Sequence, residues 1–105
     1  MELQNLIEQA WEDRTLLQNN ETQAAIKAVI EQLDKGNLRV AQPLEDKWVV
    51  NEWVKKAVIL YFPIRKMKVE EVGIFEYHDK MKLKTHYEEL GVRVVPPAVA
   101  RYGAF

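Results

Sequence analysis

The sequence predicts a mainly α fold with a minor β component: a small helical domain whose short β-hairpin packs on a central apolar helix. Three observations predict it. Two stretches in the first third of the chain carry apolar residues at helical spacing. A third, centred on Ala57, is apolar on nearly every side. Between them lies a short stretch in which apolar and polar residues alternate.

Leu3, Leu6, Ile7, Ala10 and Trp11 recur at i, i+3, i+4, i+7 and i+8, so an amphipathic helix is expected from about Leu3 to Arg14 or Leu17. Asn19-Asn20 breaks the stripe, and either residue can cap the next helix, with Glu21 placing negative charge in its first turn. Ile26, Val29, Ile30 and Leu33 repeat the pattern, and Gly36 ends it, since glycine enters the left-handed conformation at little cost. Leu38 and Val40, then Leu44 and Trp48-Val49 across the polar Glu45-Asp46-Lys47, read as the hairpin. A lone hairpin is marginal in water, so it is expected to lean on the helices.

Asn51 is the expected N-cap of a helix from Glu52 to Phe62, which Pro63 stops. The β-branched and aromatic content of Ala57–Phe62 also suits a strand; length and the capping residue favour helix. Further on, Gly73–Tyr77 suits a short strand, His86–Leu90 one helical turn ended by Gly91, and Val92–Val95 an extended run into Pro96-Pro97. The predicted division is residues 1–91 as the helical domain and 92–105 as an extended connector.

Composition narrows the function. With 105 residues, 48% apolar and 30% charged, the chain is long enough for one modest core. It has no cysteine and no serine, which removes disulfides, thiolate chemistry, cysteine-based zinc sites and serine nucleophiles. A net charge of −1 gives no general attraction for nucleic acid or anionic membrane. No leader-like segment or membrane-spanning run is present, so a cytoplasmic protein is expected. Charge is uneven: residues 1–34 sum to −5 and residues 55–84 to +4, the latter read as lysines on a solvated face.

Few side chains suggest chemistry. His78 and His86 are eight residues apart, outside the usual ligand spacing of one helix, and no metal site is expected. Trp48 and Trp53 beside Lys55 and Lys56 offer a stacking platform for single strands, but both tryptophans fall where the apolar pattern demands core. Glu70-Glu71 and Glu88-Glu89 read as solvated acids. Arg93 differs, because it lies on an extended segment between Gly91 and Pro96-Pro97. Its planar fork there suits a carboxylate, although a surface ion pair is the simpler reading of an isolated arginine.

Taken in order, several runs resemble the N-terminal part of tetrahydrodipicolinate N-succinyltransferase. They are Leu38-Arg39-Val40-Ala41 after a helix-ending glycine, Trp48 to Val58 with its W-V-x-x-x-W-V-K-K-A pattern, Asp79-Lys80, and Gly91-Val92-Arg93-Val94-Val95-Pro96-Pro97 followed by Arg101-x-Gly103-Ala104-Phe105. The chain departs from the family at Met81-Lys82, where Val-Pro is usual, and has a shorter loop before Gly91. The resemblance implies a bacterial acyltransferase of diaminopimelate and lysine biosynthesis, which moves the succinyl group of succinyl-CoA to the amine of a dicarboxylate substrate. It implies Arg93 as the substrate-binding residue, with the catalytic aspartate and the CoA surface on a left-handed β-helix beyond Phe105. A homotrimer is implied at full length. The fragment alone is expected to be inactive, to bind no cofactor, and to be a monomer or weak self-associate. The competing expectation is a free-standing interaction module that adds its 92–105 segment to the sheet edge of a partner protein.

Overall fold

The structure, a computed structural model, describes residues 2–105. It contains helices α1 (Glu2–Glu12), α2 (Asn20–Asp34), α3 (Glu52–Tyr61) and α4 (Tyr87–Leu90), and strands β1 (Ala41–Leu44), β2 (Lys47–Val50), β3 (Lys68–Val72) and β4 (Phe75–Asp79). Short 3-10 segments cover Arg14–Gln18 and Phe62–Ile64. The predicted helix-rich architecture is the one observed. It has a second hairpin besides.

The expected stripes form the core. Ile7 and Ala10 of α1, Ile26, Val29, Ile30 and Leu33 of α2, and Val54, Ala57 and Leu60 of α3 are buried against one another. Helix α3 is central, packing against both α1 and α2, and Lys56 adds an ion pair to Glu8 at 2.7 Å. Its outer face is open, with Ile59 about half exposed. The first α-helix stops at Glu12 because Asp13 caps the following 3-10 turn through Thr15 N and Thr15 Oγ1. Of the two candidate caps, Asn19 serves α2, its Oδ1 accepting from Glu21 N at 2.9 Å.

Helix α2 ends as glycine predicts. Gly36 has φ +79°, its N–H donates to Leu33 O, and Asn37 N–H donates to Gln32 O, the paired bonds of a Schellman turn. Asn51 does not cap α3 through its side chain. Its Nδ2 donates instead to Arg39 O at 2.7 Å, tying the start of α3 to the approach to β1.

The first hairpin pairs β1 and β2 antiparallel from Ala41↔Val50 to Leu44↔Lys47. Its location is as predicted, but its packing is not. Leu38 and Val40 at its base lie against the core, while both strands project and Trp48 is 73% exposed. The apolar pattern misleads here because the two-stranded ribbon is exposed at every residue but the half-buried Val49; Trp53, by contrast, packs against the core.

The second hairpin pairs β3 with β4 from Lys68↔Asp79 to Val72↔Phe75. It is fastened at its base, where Arg65 Nε donates to Lys80 O and Lys80 Nζ to Phe62 O, each at 3.2 Å. The Cα radius of gyration is 15.3 Å, against about 13 Å for a compact chain of this length, as two projecting hairpins require. Among the described residues no helix is long and apolar enough to cross a membrane.

Candidate functional site

The site is built around residues 82–105, which lie against the C-terminal end of α2. Residues 82–84 and 100–102 run antiparallel: Lys84 N donates to Ala100 O at 2.9 Å and Tyr102 N to Lys82 O at 2.8 Å, around the bridge Leu83↔Arg101. Two acids one turn apart on α2 hold this pair of segments. Asp34 Oδ1 accepts from Lys84 Nζ at 2.9 Å and from Gly103 N at 2.7 Å, while Asp34 O also accepts from Lys84 Nζ. Glu31 accepts from the Tyr102 hydroxyl.

The Tyr102–Glu31 contact tunes both of its partners. The Tyr102 hydrogen bond, helped by Lys35, holds Glu31 below the usual carboxylate range. Burial, followed by the bond to Glu31, raises Tyr102 well above an ordinary tyrosine. Across the hairpin base, Arg101 grips both oxygens of Asp79 at 2.8 and 3.0 Å and depresses that carboxyl. Lys84 was expected on a solvated face, yet its side chain is 4% exposed and held by Asp34. No local signal marks that pair, since its members are fifty residues apart.

Arg93 leaves this scaffold from a fixed turn. Gly91 takes φ +73°, its N–H donates to Glu88 O, and Val92 N–H donates to Tyr87 O, a second Schellman turn that sets the direction of the chain after α4. The side chain of Arg93 helps line a cavity of about 410 Å³, together with Lys84, Tyr87, Val92, Val95 and Phe105. No aspartate or glutamate is among the residues that line it.

Arg93 is also chemically free. Arg101 pairs with Asp79, and Arg65 donates to Lys80 O. Arg14 and Arg39 stack on Trp11 and Phe105. Among the described residues Arg93 alone of the five arginines has no hydrogen bond, ion pair or ring partner, and the simpler ion-pair reading finds no acid here. The donor fork of its guanidinium is unused.

The other sequence candidates do not join this cavity. Trp48 and Trp53 lie on the first hairpin and α3, while Lys55 pairs with Glu52, and Lys56 pairs with Glu8 and stands over the ring of Trp11 instead. His78 is on β4, and His86, with φ +65°, precedes α4 with Nδ1 3.3 Å from Glu89. Among the described residues no cluster of three or more His, Asp and Glu is placed to hold a metal ion. Tyr87 and Phe105 were not legible as site residues, because aromatic residues near glycines read equally well as packing.

Known proteins share this sequence closely. The family described as tetrahydrodipicolinate N-succinyltransferase N-terminal matches residues 2–64. Proteins named 2,3,4,5-tetrahydropyridine-2,6-dicarboxylate N-succinyltransferase match nearly the whole chain. The one from Chromobacterium violaceum is 47% identical over 98% of this chain and 41% of its own length. That from Ralstonia nicotianae is 46% identical over 99% of this chain and 42% of its own. The one from Photorhabdus laumondii is 42% identical over 99% and 42% respectively. The chain therefore spans about two fifths of the length of these relatives. Over its helical body it matches the family profile, and over nearly its whole length it aligns with the relatives: this chain belongs to the tetrahydrodipicolinate N-succinyltransferase N-terminal family.

Proposed function

We propose that this chain serves as the N-terminal domain of a succinyl-CoA-dependent tetrahydrodipicolinate N-succinyltransferase, in which Arg93 holds one carboxylate of the dicarboxylate substrate. The observation that carries the reading is the unpaired Arg93 guanidinium lining a cavity without acids. A bidentate pair there orients the substrate, because two parallel N–H···O bonds fix both direction and plane. Orientation is the contribution asked of this domain. In the transfer itself the substrate amine attacks the thioester carbonyl, an amide C–N bond forms, the C–S bond breaks, and the amine proton leaves as CoA departs as its thiol. No residue of this chain is assigned to that step.

In this reading residues 92–105 form the connector to the remainder of a protein of the relatives' length, which works as a trimer in the cytoplasm of a bacterial lysine-producing cell. The test is a chimera in which this chain replaces the matching region of the Chromobacterium violaceum relative. The chimera is expected to transfer succinyl groups and the 105-residue chain to show no turnover. Arg93→Ala in the chimera is expected to lower kcat/KM by roughly a hundredfold, the loss of a charge-assisted pair, with Arg93→Lys between the two. Unchanged kinetics in Arg93→Ala refute the assignment.

A further inference from the structure

The wall of the Arg93 cavity contributed by Phe105 rests on a seat that sequence patterns do not suggest. A side chain added at Gly36 would place its Cβ 2.6 to 2.9 Å from three atoms of the Phe105 ring, so the ring lies directly on the glycine backbone. Two cations approach the same ring: the Arg39 guanidinium carbon stands 4.8 Å from its centroid and Lys84 Nζ 5.4 Å. Lys84 cannot drift, because Asp34 holds it. Arg39 is anchored through its own backbone, whose carbonyl accepts from Asn51 Nδ2. Phe105 is nevertheless 55% exposed, so the seat contributes little to the core.

A ring fixed by glycine and two cations, yet half open to solvent, is placed for a purpose other than burial. From this geometry we infer that Phe105 is a positioning residue: seated on Gly36 between Arg39 and Lys84, its ring fixes the wall against which a carboxylate ligand of Arg93 packs. The inference rests on the reading of Arg93 as the ligand-binding group. It assigns Gly36 a second task besides ending α2, and it gives Arg39 a role through the ring without contact to the ligand.

The test uses the full chain and pyridine-2,6-dicarboxylate as probe, with affinity read from NMR shifts of the Arg93 side chain and stability from thermal unfolding. Phe105→Leu keeps apolar bulk but loses the cation–ring contacts, and is expected to weaken probe binding roughly fivefold with little change in Tm. Phe105→Tyr keeps the ring and is expected to restore the affinity, and the unchanged Tm of Phe105→Leu separates this from a purely structural role. Arg39→Gln is expected to weaken binding about threefold. Phe105→Leu binding as tightly as wild type, while Arg93→Ala loses the probe, overturns the positioning role and leaves Arg93 standing. A wild-type chain whose Arg93 resonances ignore the probe overturns the reading of Arg93 and the inference with it.

Discussion

The two halves of the molecule are held together by different forces. Residues 2–61 bury a continuous set of aliphatic side chains from three helices. Beyond Tyr61, Met81 is the one buried apolar side chain among the described residues, and order comes instead from charges and hydrogen bonds: Lys84 and Gly103 on Asp34, Tyr102 on Glu31, Arg101 on Asp79. Apolar burial is non-directional and tolerates drift, whereas these polar links fix position at specific atoms. The half that carries Arg93 is thus the half ordered by geometry, and it borrows its anchor from the end of α2.

Each half fails in its own way when its own kind of contact is removed. Leu60→Ala leaves a cavity in the helical core and is expected to cost about 3–4 kcal/mol, seen as a fall in the denaturant midpoint of the whole chain. Asp34→Ala strands a buried ammonium and is expected to cost on the order of 3 kcal/mol. Its signature is local: amide exchange accelerates at 82–84 and 100–103 while α1, α2 and α3 stay protected. Equal loss of protection throughout would show the halves to be one cooperative unit. Gly91→Ala forces a side chain into the left-handed region at φ +73° and is expected to cost about 1 kcal/mol, with the NMR shifts of Val92 and Arg93 displaced most.

Acid sharpens the contrast further. Asp79 and Glu31 titrate below their ordinary values in the folded chain, so each stabilises the fold above about pH 4. That contribution disappears as pH falls from there through the lowered values. Between pH 5 and 2 the wild type is therefore expected to lose stability more steeply than Asp79→Asn/Glu31→Gln, measured by urea midpoints at each pH. Smallest of all, Trp48→Thr on the projecting hairpin is expected to shift stability by under about 0.5 kcal/mol, since the indole meets no core.

The helical half was legible because burial writes a period into the sequence. The stripes through Ile7, Ile26 and Leu33 and the stop at Gly36 follow from helix geometry and need no knowledge of partners. The same rule failed at Trp48, where apolar alternation sits on a ribbon with two open faces. It gave only β4 of the second hairpin, since β3 carries Glu70-Glu71 and little buried surface. In the candidate site, Arg93 stood out for its glycine and proline surroundings, but those residues alone favoured a surface ion pair, and a binding role followed only from the family resemblance. Its neighbours Lys84 and Phe105 did not stand out, because what defines them is contact with Asp34 and Gly36, far away along the chain.

The junction at Asp34 also orders events in time. One carboxylate oxygen receives Lys84 from fifty residues away and Gly103 from sixty-nine. The helices form on shorter-range contacts, and the acceptor is ready once α2 is wound. If Lys84 docks first, Gly103 has only the nineteen residues from Lys84 to close, a shorter loop than the chain running from the end of α3, so its closure costs less entropy. Lys84 then acts as the first clasp and Gly103 as the second, and the segment bearing Arg93, strung between them, takes its final path last.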